Sequence, residues 1–241
     1  VDGEGMLPGE LELALRSGAR AVILTPRAHN PTGCSFSEAR AAAIREILAH
    51  YPQVLVIIDD HFALLSATPW HSPLPATTQR WALVRSLSKT LGPDLRLAFV
   101  ASDSTTSAAL RLRLNAGSQW VRHLLQGFAF ACLNDSVFTA SLAESRRHYR
   151  RQNEKLAAAL TQRGFPTFPP GDGLNFWLPL TEPSQPIALR LARAGWLVRE
   201  GEAFGIHTPS HGLRLSPGTL SDDEIERLAD DLHLVLQPSP E

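Results

Sequence analysis

Short apolar runs alternate with amphipathic stretches through the first half of the chain. The runs at 21–25 and 54–58, and a stretch near Ala82, have the length and β-branched content typical of buried strands. Residues 37–49 are rich in alanine and begin at Ser37, a good N-cap, so we expect a helix there. Residues 96–101 predict one more strand. Strands that alternate with helical connections favour an α/β domain with a mostly parallel sheet.

Helical periodicity dominates the middle of the chain. An apolar stripe predicts a core helix over 107–130, and a second helix with one arginine-rich side is expected over 136–163, ended by Gly164. The stripe comprises Leu110, Leu114, Val121 and Leu124.

The last third returns to short elements. A strand is expected within 171–178, and Ser221 with Glu224 forms a capping box that starts a closing helix over 221–236. The elements between them are a helix over 187–194 and strands over 196–199 and 213–215. We therefore expect a large domain over 1–135, and a long linking helix with a small α+β domain over 136–241.

Chemically useful side chains follow the predicted strands in order. They are Asn30 in Asn-Pro-Thr-Gly, Asp59 in Asp-Asp-His, Lys89 in Ser-Leu-Ser-Lys, and then Arg96. Open α/β sheets bind ligands at the carboxyl ends of their strands. Together these groups would suit pyridoxal 5'-phosphate, because its aldehyde requires a lysine amine and its pyridine nitrogen a buried carboxylate.

The remaining donors fit the same cofactor. Ser86, Ser88 and Arg96 supply hydroxyls and a guanidinium for a phosphate, and Asn30 could donate to the phenolate oxygen of the ring. Each residue alone has an ordinary structural explanation, such as a turn, a strand cap or a solvated lysine. The ordered combination favours the cofactor site.

The ordered set resembles the fold-type I pyridoxal-phosphate-dependent aminotransferases of the aspartate aminotransferase class, over nearly the whole chain. The resemblance implies that Lys89 is the catalytic lysine of the internal aldimine, that Asp59 holds the pyridine nitrogen and that Asn30 contacts the ring oxygen. Ser86 and Arg96 then match the phosphate ligands.

A later segment, Leu-Arg-Leu-Ser at 213–216, resembles the one whose arginine binds the substrate carboxylate. Arg214 is the candidate for that role. A salt bridge from Arg214 to the closing helix is the alternative interpretation.

The spacing between Lys89 and Arg96 resembles that of one branch of the family. Arg96 follows Lys89 by seven residues, one fewer than is usual in aminotransferases, and residues 119–126 carry a tryptophan-containing pattern. Both features resemble the aminotransferase-like domain of MocR-type regulators in the GntR superfamily. The resemblance implies an effector-sensing and dimerisation domain, with DNA bound by an N-terminal helix-turn-helix that this chain lacks.

His61 departs from the family pattern. A tyrosine usually stands two residues after the ring aspartate and contacts the cofactor. An imidazole can still donate one hydrogen bond, and it titrates near neutrality. A partly exposed histidine with no cofactor role remains the alternative.

Composition sets the broad class. The chain has 241 residues, of which 44% are hydrophobic, and a formal net charge of −1, so it has no general attraction to nucleic acid or to an anionic membrane. Cys34 and Cys132 suggest neither a disulfide framework nor a metal site, and no apolar run is long enough to span a bilayer. We expect a cytoplasmic protein. The chain opens on Val1, and Met6 is its sole methionine, so we expect it to begin inside a longer protein.

Two functions fit these features of the sequence. The first is an effector sensor for a small amine, an amino acid or vitamin B6, in a homodimeric transcription regulator. The second is a class I/II amino-acid aminotransferase that uses Lys89. A cofactor-free scaffold is the third and weakest possibility.

Overall fold

The structure is a computed structural model that describes residues 1–114, 121–168, 171–206 and 210–237. The chain divides into two compact units. The first comprises residues 1–27 and 34–145, and the second comprises residues 28–33 and 146–241. Each unit is described by itself.

The first unit is built on a four-stranded sheet of order β1-β2-β3-β4. Strands β1, β2 and β3 run parallel and β4 is antiparallel to β3, which confirms the mostly parallel sheet. The elements are α1 (Pro8–Arg16), β1 (Ala21–Leu24), α2 (Glu38–Ala49), β2 (Leu55–Asp59), β3 (Arg80–Ser86), β4 (Ala98–Ser102), α3 (Ser104–Leu114) and α4 (His123–Asn134).

The buried residues of β1 and β2 lie on one face of this sheet. Strand β1 alternates exposed and buried residues, so Val22 and Leu24 enter the core while Ile23 stays 64% exposed. The side chains of α1 and α2 complete the core with Leu11, Leu15, Ile44 and Leu48. Ser37 is the N-cap of α2, as expected, because its hydroxyl accepts a hydrogen bond from the Arg40 amide at 3.0 Å.

The expectation of one core helix over 107–130 is wrong. Two helices, α3 and α4, occupy the described part of that range, and residues 115–120, including Gln119 and Trp120, lie outside the described residues. Of the apolar stripe, Leu114 is 55% and Leu124 83% exposed, whereas Ala129 is the buried residue of α4. An apolar stripe shows which face of a helix favours burial, but nothing in this unit covers that face over the described range.

The second unit contains a three-stranded antiparallel sheet of order β5-β7-β6. The core includes Leu160, Leu178, Leu191, Leu213 and Leu232, drawn from helices and strands alike. Its elements, with the helix that leads into it, are α5 (Ser136–Gln162), β5 (Phe176–Pro179), α6 (Gln185–Arg193), β6 (Arg199–Glu200), β7 (Gly212–Leu215) and α7 (Asp222–Leu236).

The closing helix forms as the sequence predicts. Both halves of the capping box are present, since the hydroxyl of Ser221 accepts from the Glu224 amide and the Glu224 carboxylate accepts from the Ser221 amide. This arrangement confirms the start of the closing helix that Ser221 and Glu224 predict. In the ranges that the structure describes, every helix is too short or too polar to cross a lipid bilayer.

Candidate functional site

The carboxyl ends of β2 and β3 place two predicted ligands on the same face of the sheet. Asp59 is the last residue of β2 and lies opposite Val84 of β3. Ser86 stands two residues beyond Val84, so it shares the face of Asp59. The Asp59 side chain is 44% exposed, so the structure does not show the buried carboxylate expected from the sequence, although this carboxylate is accessible to a ligand.

Lys89 lies on a short loop between β3 and β4 that is fastened at both ends. The Leu87 amide donates to the Leu97 carbonyl at 2.9 Å, and the Leu91 amide donates to the Leu87 carbonyl at 2.8 Å. Leu87, Leu95 and Leu97 are buried together, whereas Lys89 and Arg96 are exposed. The apolar side chains therefore anchor the loop, and its two cations face outward.

The two serines before Lys89 differ in what their hydroxyls do. Ser88 Oγ donates to the Leu95 carbonyl at 3.1 Å and so helps to close the loop. Ser86 Oγ accepts from the Ser88 amide at 3.2 Å. Within the described residues, the Ser86 hydroxyl hydrogen has no acceptor, so Ser86 is the better placed of the two to donate to an anion.

His61 carries an unsatisfied polar atom. Its Nδ1 is buried and has no hydrogen-bond partner in the described residues, and it lies 3.6 Å from Asp59 Oδ2. A buried ring nitrogen without a partner is uncommon in folded proteins. Its position beside the predicted ring carboxylate fits a ligand in contact with both residues.

A buried ion cluster lies on the other side of the same strand ends. Asp60 is 0% exposed and accepts from Arg27 Nε at 2.9 Å, from Arg27 Nη2 at 2.7 Å and from Arg85 Nε at 2.9 Å. Both guanidinium carbons lie over the Trp70 ring, at 5.2 and 5.5 Å from its centroid. Arg27 follows β1, Asp60 follows β2 and Arg85 is the penultimate residue of β3, so the cluster ties together the ends of three adjacent strands.

Sequence analysis did not identify this cluster. The doubled Asp59-Asp60 was the available signal, because consecutive residues at the end of a strand point to opposite faces of a sheet. One carboxylate of such a pair has to find its partners on the covered side.

The second unit holds the other two predicted residues, and they are in contact. Arg214 Nη1 donates to Asn30 Oδ1 at 2.9 Å. Gly33 closes the turn that carries Asn30: its amide donates to the His29 carbonyl at 2.6 Å, and its carbonyl accepts from the Asp172 amide at 2.7 Å.

The environment of Arg214 is partly desolvated. Its guanidinium carbon lies 5.4 Å from the Phe204 ring centroid, and its Nε is buried without a partner among the described residues. Burial lowers the pKa of Arg214, and the charge of Arg199 lowers it further. Over the same residues Arg214 forms no ion pair, so the structure does not contain the alternative salt bridge to α7.

Glu202 lies at the centre of a second polar cluster in this unit. Its carboxylate accepts from the Ser184 amide at 2.8 Å, from the Ser184 hydroxyl, and from His211 Nδ1 at 2.9 Å. Chiefly because of the Ser184 hydroxyl, the pKa of Glu202 falls to about 2 from 4.5. The Ser184 hydroxyl also accepts from the Gly201 amide at 3.0 Å, so the cluster fixes the start of the segment that carries Phe204.

Comparison with known proteins identifies the family. A family model described as aminotransferase class I and II matches residues 6–232. The chain belongs to the aminotransferase class I and II family.

Two curated relatives from bacteria are transcription regulators. The chain is 63% identical over 236 residues to the vitamin B6 salvage pathway transcriptional repressor PtsJ of Salmonella typhimurium, covering 98% of this chain and 55% of that protein. It is 29% identical to the HTH-type transcriptional regulator TauR of Rhodobacter capsulatus, covering 85% of this chain and 43% of TauR. This member of the family therefore spans about half the length of the curated relatives it matches.

Solved aminotransferase structures share its fold. Kynurenine aminotransferase from Pyrococcus horikoshii, in complex with PMP, superposes with a TM-score of 0.83 at 23% identity and covers 99% of this chain and 63% of its own. LysN, an α-aminoadipate aminotransferase from Thermus thermophilus, gives 0.84 at 22% identity, covering 98% of this chain and 63% of that one. The fold-type I architecture expected from the sequence is confirmed.

Proposed function

We propose that the chain is the pyridoxal-phosphate-binding, effector-sensing domain of a MocR-type transcription regulator. The observation that carries the proposal is the 63% identity to the repressor PtsJ, which extends over 98% of the chain. The presence of Lys89, Asp59 and Arg96 in family order supports cofactor binding rather than a cofactor-free scaffold.

The donors in the first unit suit the chemistry of this cofactor. Pyridoxal phosphate supplies an aldehyde that condenses with amines and a ring that withdraws electrons. Asp59 would hold the proton on the ring nitrogen, and Lys89 would provide the amine and move protons at its Nζ. Ser86 and Arg96 would bind the phosphate, assisted by Ser88, and the orphaned Nδ1 of His61 would gain a partner.

The second unit would recognise the effector. Arg214 is desolvated and bonded to a neutral amide, so it retains its charge for an anion. A carboxylate can accept two parallel hydrogen bonds from a guanidinium. An amino acid or a related amine is therefore the proposed effector class, with Asn30 orienting Arg214.

The test is whether the cofactor changes DNA selection by the intact protein. Genomic fragments would be captured and sequenced, with and without pyridoxal phosphate, for the native protein and for Lys89→Ala and Lys155→Ala. We expect the cofactor to change the affinity for selected fragments about fivefold or more, a typical coupling between two sites. Lys89→Ala should abolish the change and Lys155→Ala should retain it. The same set of captured DNA fragments with and without the cofactor would contradict the proposal.

The second candidate function is amino-acid transamination, which the family itself favours. Here Lys89 would act as the general base that moves the substrate proton. Steady multiple turnover between an amino acid and a 2-oxo acid, combined with indifference of DNA binding to the cofactor, would support the enzyme over the regulator.

We further propose that the intact protein is a cytoplasmic homodimer that contacts DNA through a part outside this chain. The support is the identity of the relatives as transcription regulators, together with the net charge of −1, which gives this chain no general affinity for DNA. Sedimentation of the intact protein tests the dimer.

A further inference from the structure

Two arginines face each other across the small sheet. Arg199 of β6 and Arg214 of β7 are directly paired in the antiparallel register, so their side chains project from the same face. Opposed residues of such a pair place their Cβ atoms about 5 Å apart. Trp177 of β5 lies opposite Arg214 on its other side and completes the row.

Among the described residues, no acidic side chain forms an ion pair with either arginine. Like charges directly opposed destabilise a sheet. The Glu202 carboxylate in the same unit accepts hydrogen bonds from Ser184 and His211 instead. An uncompensated cationic pair of this kind is the arrangement expected where an anionic ligand supplies the missing charge.

An aromatic wall borders the same pair. The Phe204 ring lies beneath the Arg214 guanidinium carbon at 5.4 Å and meets the Trp177 ring edge to face at 6.3 Å. The wall restricts the rotation of Arg214 and excludes water from one side of it, which strengthens the attraction to an anion. Arg199 remains exposed and free to close on a second anionic group.

We propose that Arg199 and Arg214 together select ligands with two carboxylates, with Arg214 binding one and Arg199 the other. The proposal deepens the proposed function, because it names the effector class as dicarboxylic. Arg199 is then the specificity residue, and Arg214 serves every carboxylate ligand.

Simple acids test this selectivity without any chemistry at Lys89. Succinate and butyrate have four carbons each and differ by one carboxylate, and neither carries an amine that can react with the cofactor. Binding of both to the intact protein would be measured by calorimetry, together with glutarate and valerate as a longer pair. The variants are Arg199→Gln, Arg214→Gln and, as a charge-matched control, Arg193→Gln, which removes an exposed arginine from α6.

We expect the dicarboxylates to bind about fivefold to tenfold more tightly than their matched monocarboxylates, the size of one charge-assisted contact at a partly exposed site. Arg199→Gln should erase that preference with monocarboxylate binding unchanged. Arg214→Gln should weaken both ligands, and Arg193→Gln neither.

Three results would overturn the proposal: no preference in the native protein, no binding of either acid, or an equal loss of both acids in Arg199→Gln. These results leave the proposed function standing if DNA selection still responds to the cofactor. Loss of the cofactor response alongside an intact dicarboxylate preference would reject the proposed function and keep this one.

Discussion

Asp60 and Asp59 are sequence neighbours with opposite surroundings. Asp60 is 0% exposed and is the shared acceptor of Arg27 and Arg85, whereas the Asp59 side chain is 44% exposed. Removal of one partner from a buried ion pair leaves an uncompensated charge, which is far more costly than the loss of an exposed charge.

We predict that Asp60→Asn lowers the free energy of unfolding by about 3–5 kcal/mol. Asp59→Asn, the matched control one residue away, should cost less than about 1 kcal/mol. Urea unfolding of both variants measures the difference. Equal losses in the two variants would show that the cluster does not hold the strand ends together.

Glu202 gives the second unit a defined dependence on pH. Hydrogen bonds from Ser184 and His211 favour the ionised carboxylate, so its pKa in the folded chain is about 2 against 4.5 as the ordinary value. A lowered pKa means that the stabilisation is fully present above pH 4.5 and disappears as the pH falls toward 2.

The expected behaviour of Glu202→Gln follows from that sign. The variant should be less stable than the native chain at pH 6, and the gap should narrow steadily between pH 4.5 and pH 2. Thermal unfolding across this range measures the gap. A gap that stays constant with pH would mean that the carboxylate charge contributes nothing to the cluster.

At the scale of elements, the Asn-Pro-Thr-Gly turn needs its glycine for two reasons. Gly33 has a φ of +67°, and a Cβ atom there would lie 3.1 Å from the Asp172 and Asn175 carbonyl oxygens. Gly164 at the end of α5 has a φ of +86° but open space around it.

Comparison of the two glycines separates backbone strain from crowding. Gly164→Ala should cost about 1–2 kcal/mol, the ordinary penalty of a left-handed residue with a side chain. Gly33→Ala should lower the free energy of unfolding by more than Gly164→Ala does, because the Asp172 and Asn175 carbonyls must also move. Chemical denaturation measures the free energy of unfolding of both variants. Equal losses in the two variants would contradict the close packing around the turn.

Elements with local chemistry were predictable from the sequence. The start of α2 depends on Ser37 and the start of α7 on Ser221 with Glu224, and each cap satisfies its helix with residues a few positions away. The sequence pattern does not predict helix α1, because Leu11 and Leu15 form only a short apolar pattern whose burial depends on packing in the core of the sheet.

The site residues also divide into those that a local motif predicts and those that depend on which strands are neighbours. Asp59 and Lys89 could be predicted because each follows a strand within a recognisable motif. The grouping of Arg27, Asp60 and Arg85 could not, because it depends on which strands are neighbours in the sheet. The pairing of Arg199 with Arg214 likewise depends on the register of β6 and β7.

At the scale of the whole molecule, part of one sheet face is exposed among the described residues, and the chain matches about half of the length of its curated relatives. Ile23 and Val100 on that face are 64% and 44% exposed, and Asp59 and Ser86 share it. Exposed apolar side chains on a sheet face can take part in contacts with other parts of a protein. The candidate cofactor residues of the first unit therefore lie on a surface suited to further contacts, so the decisive experiment uses the intact protein.

The chain contains two lysines, which makes that experiment unusually clear. Lys155 is ion-paired with Asp222, whereas Lys89 is exposed on its fastened loop. The intact protein would be mixed with pyridoxal phosphate and reduced with borohydride, and the added mass would be located by peptide mass spectrometry. We predict a single adduct within this chain, on Lys89. Labelling of Lys155 to the same extent, or an unlabelled Lys89, would contradict the central claim that this chain carries a pyridoxal phosphate site.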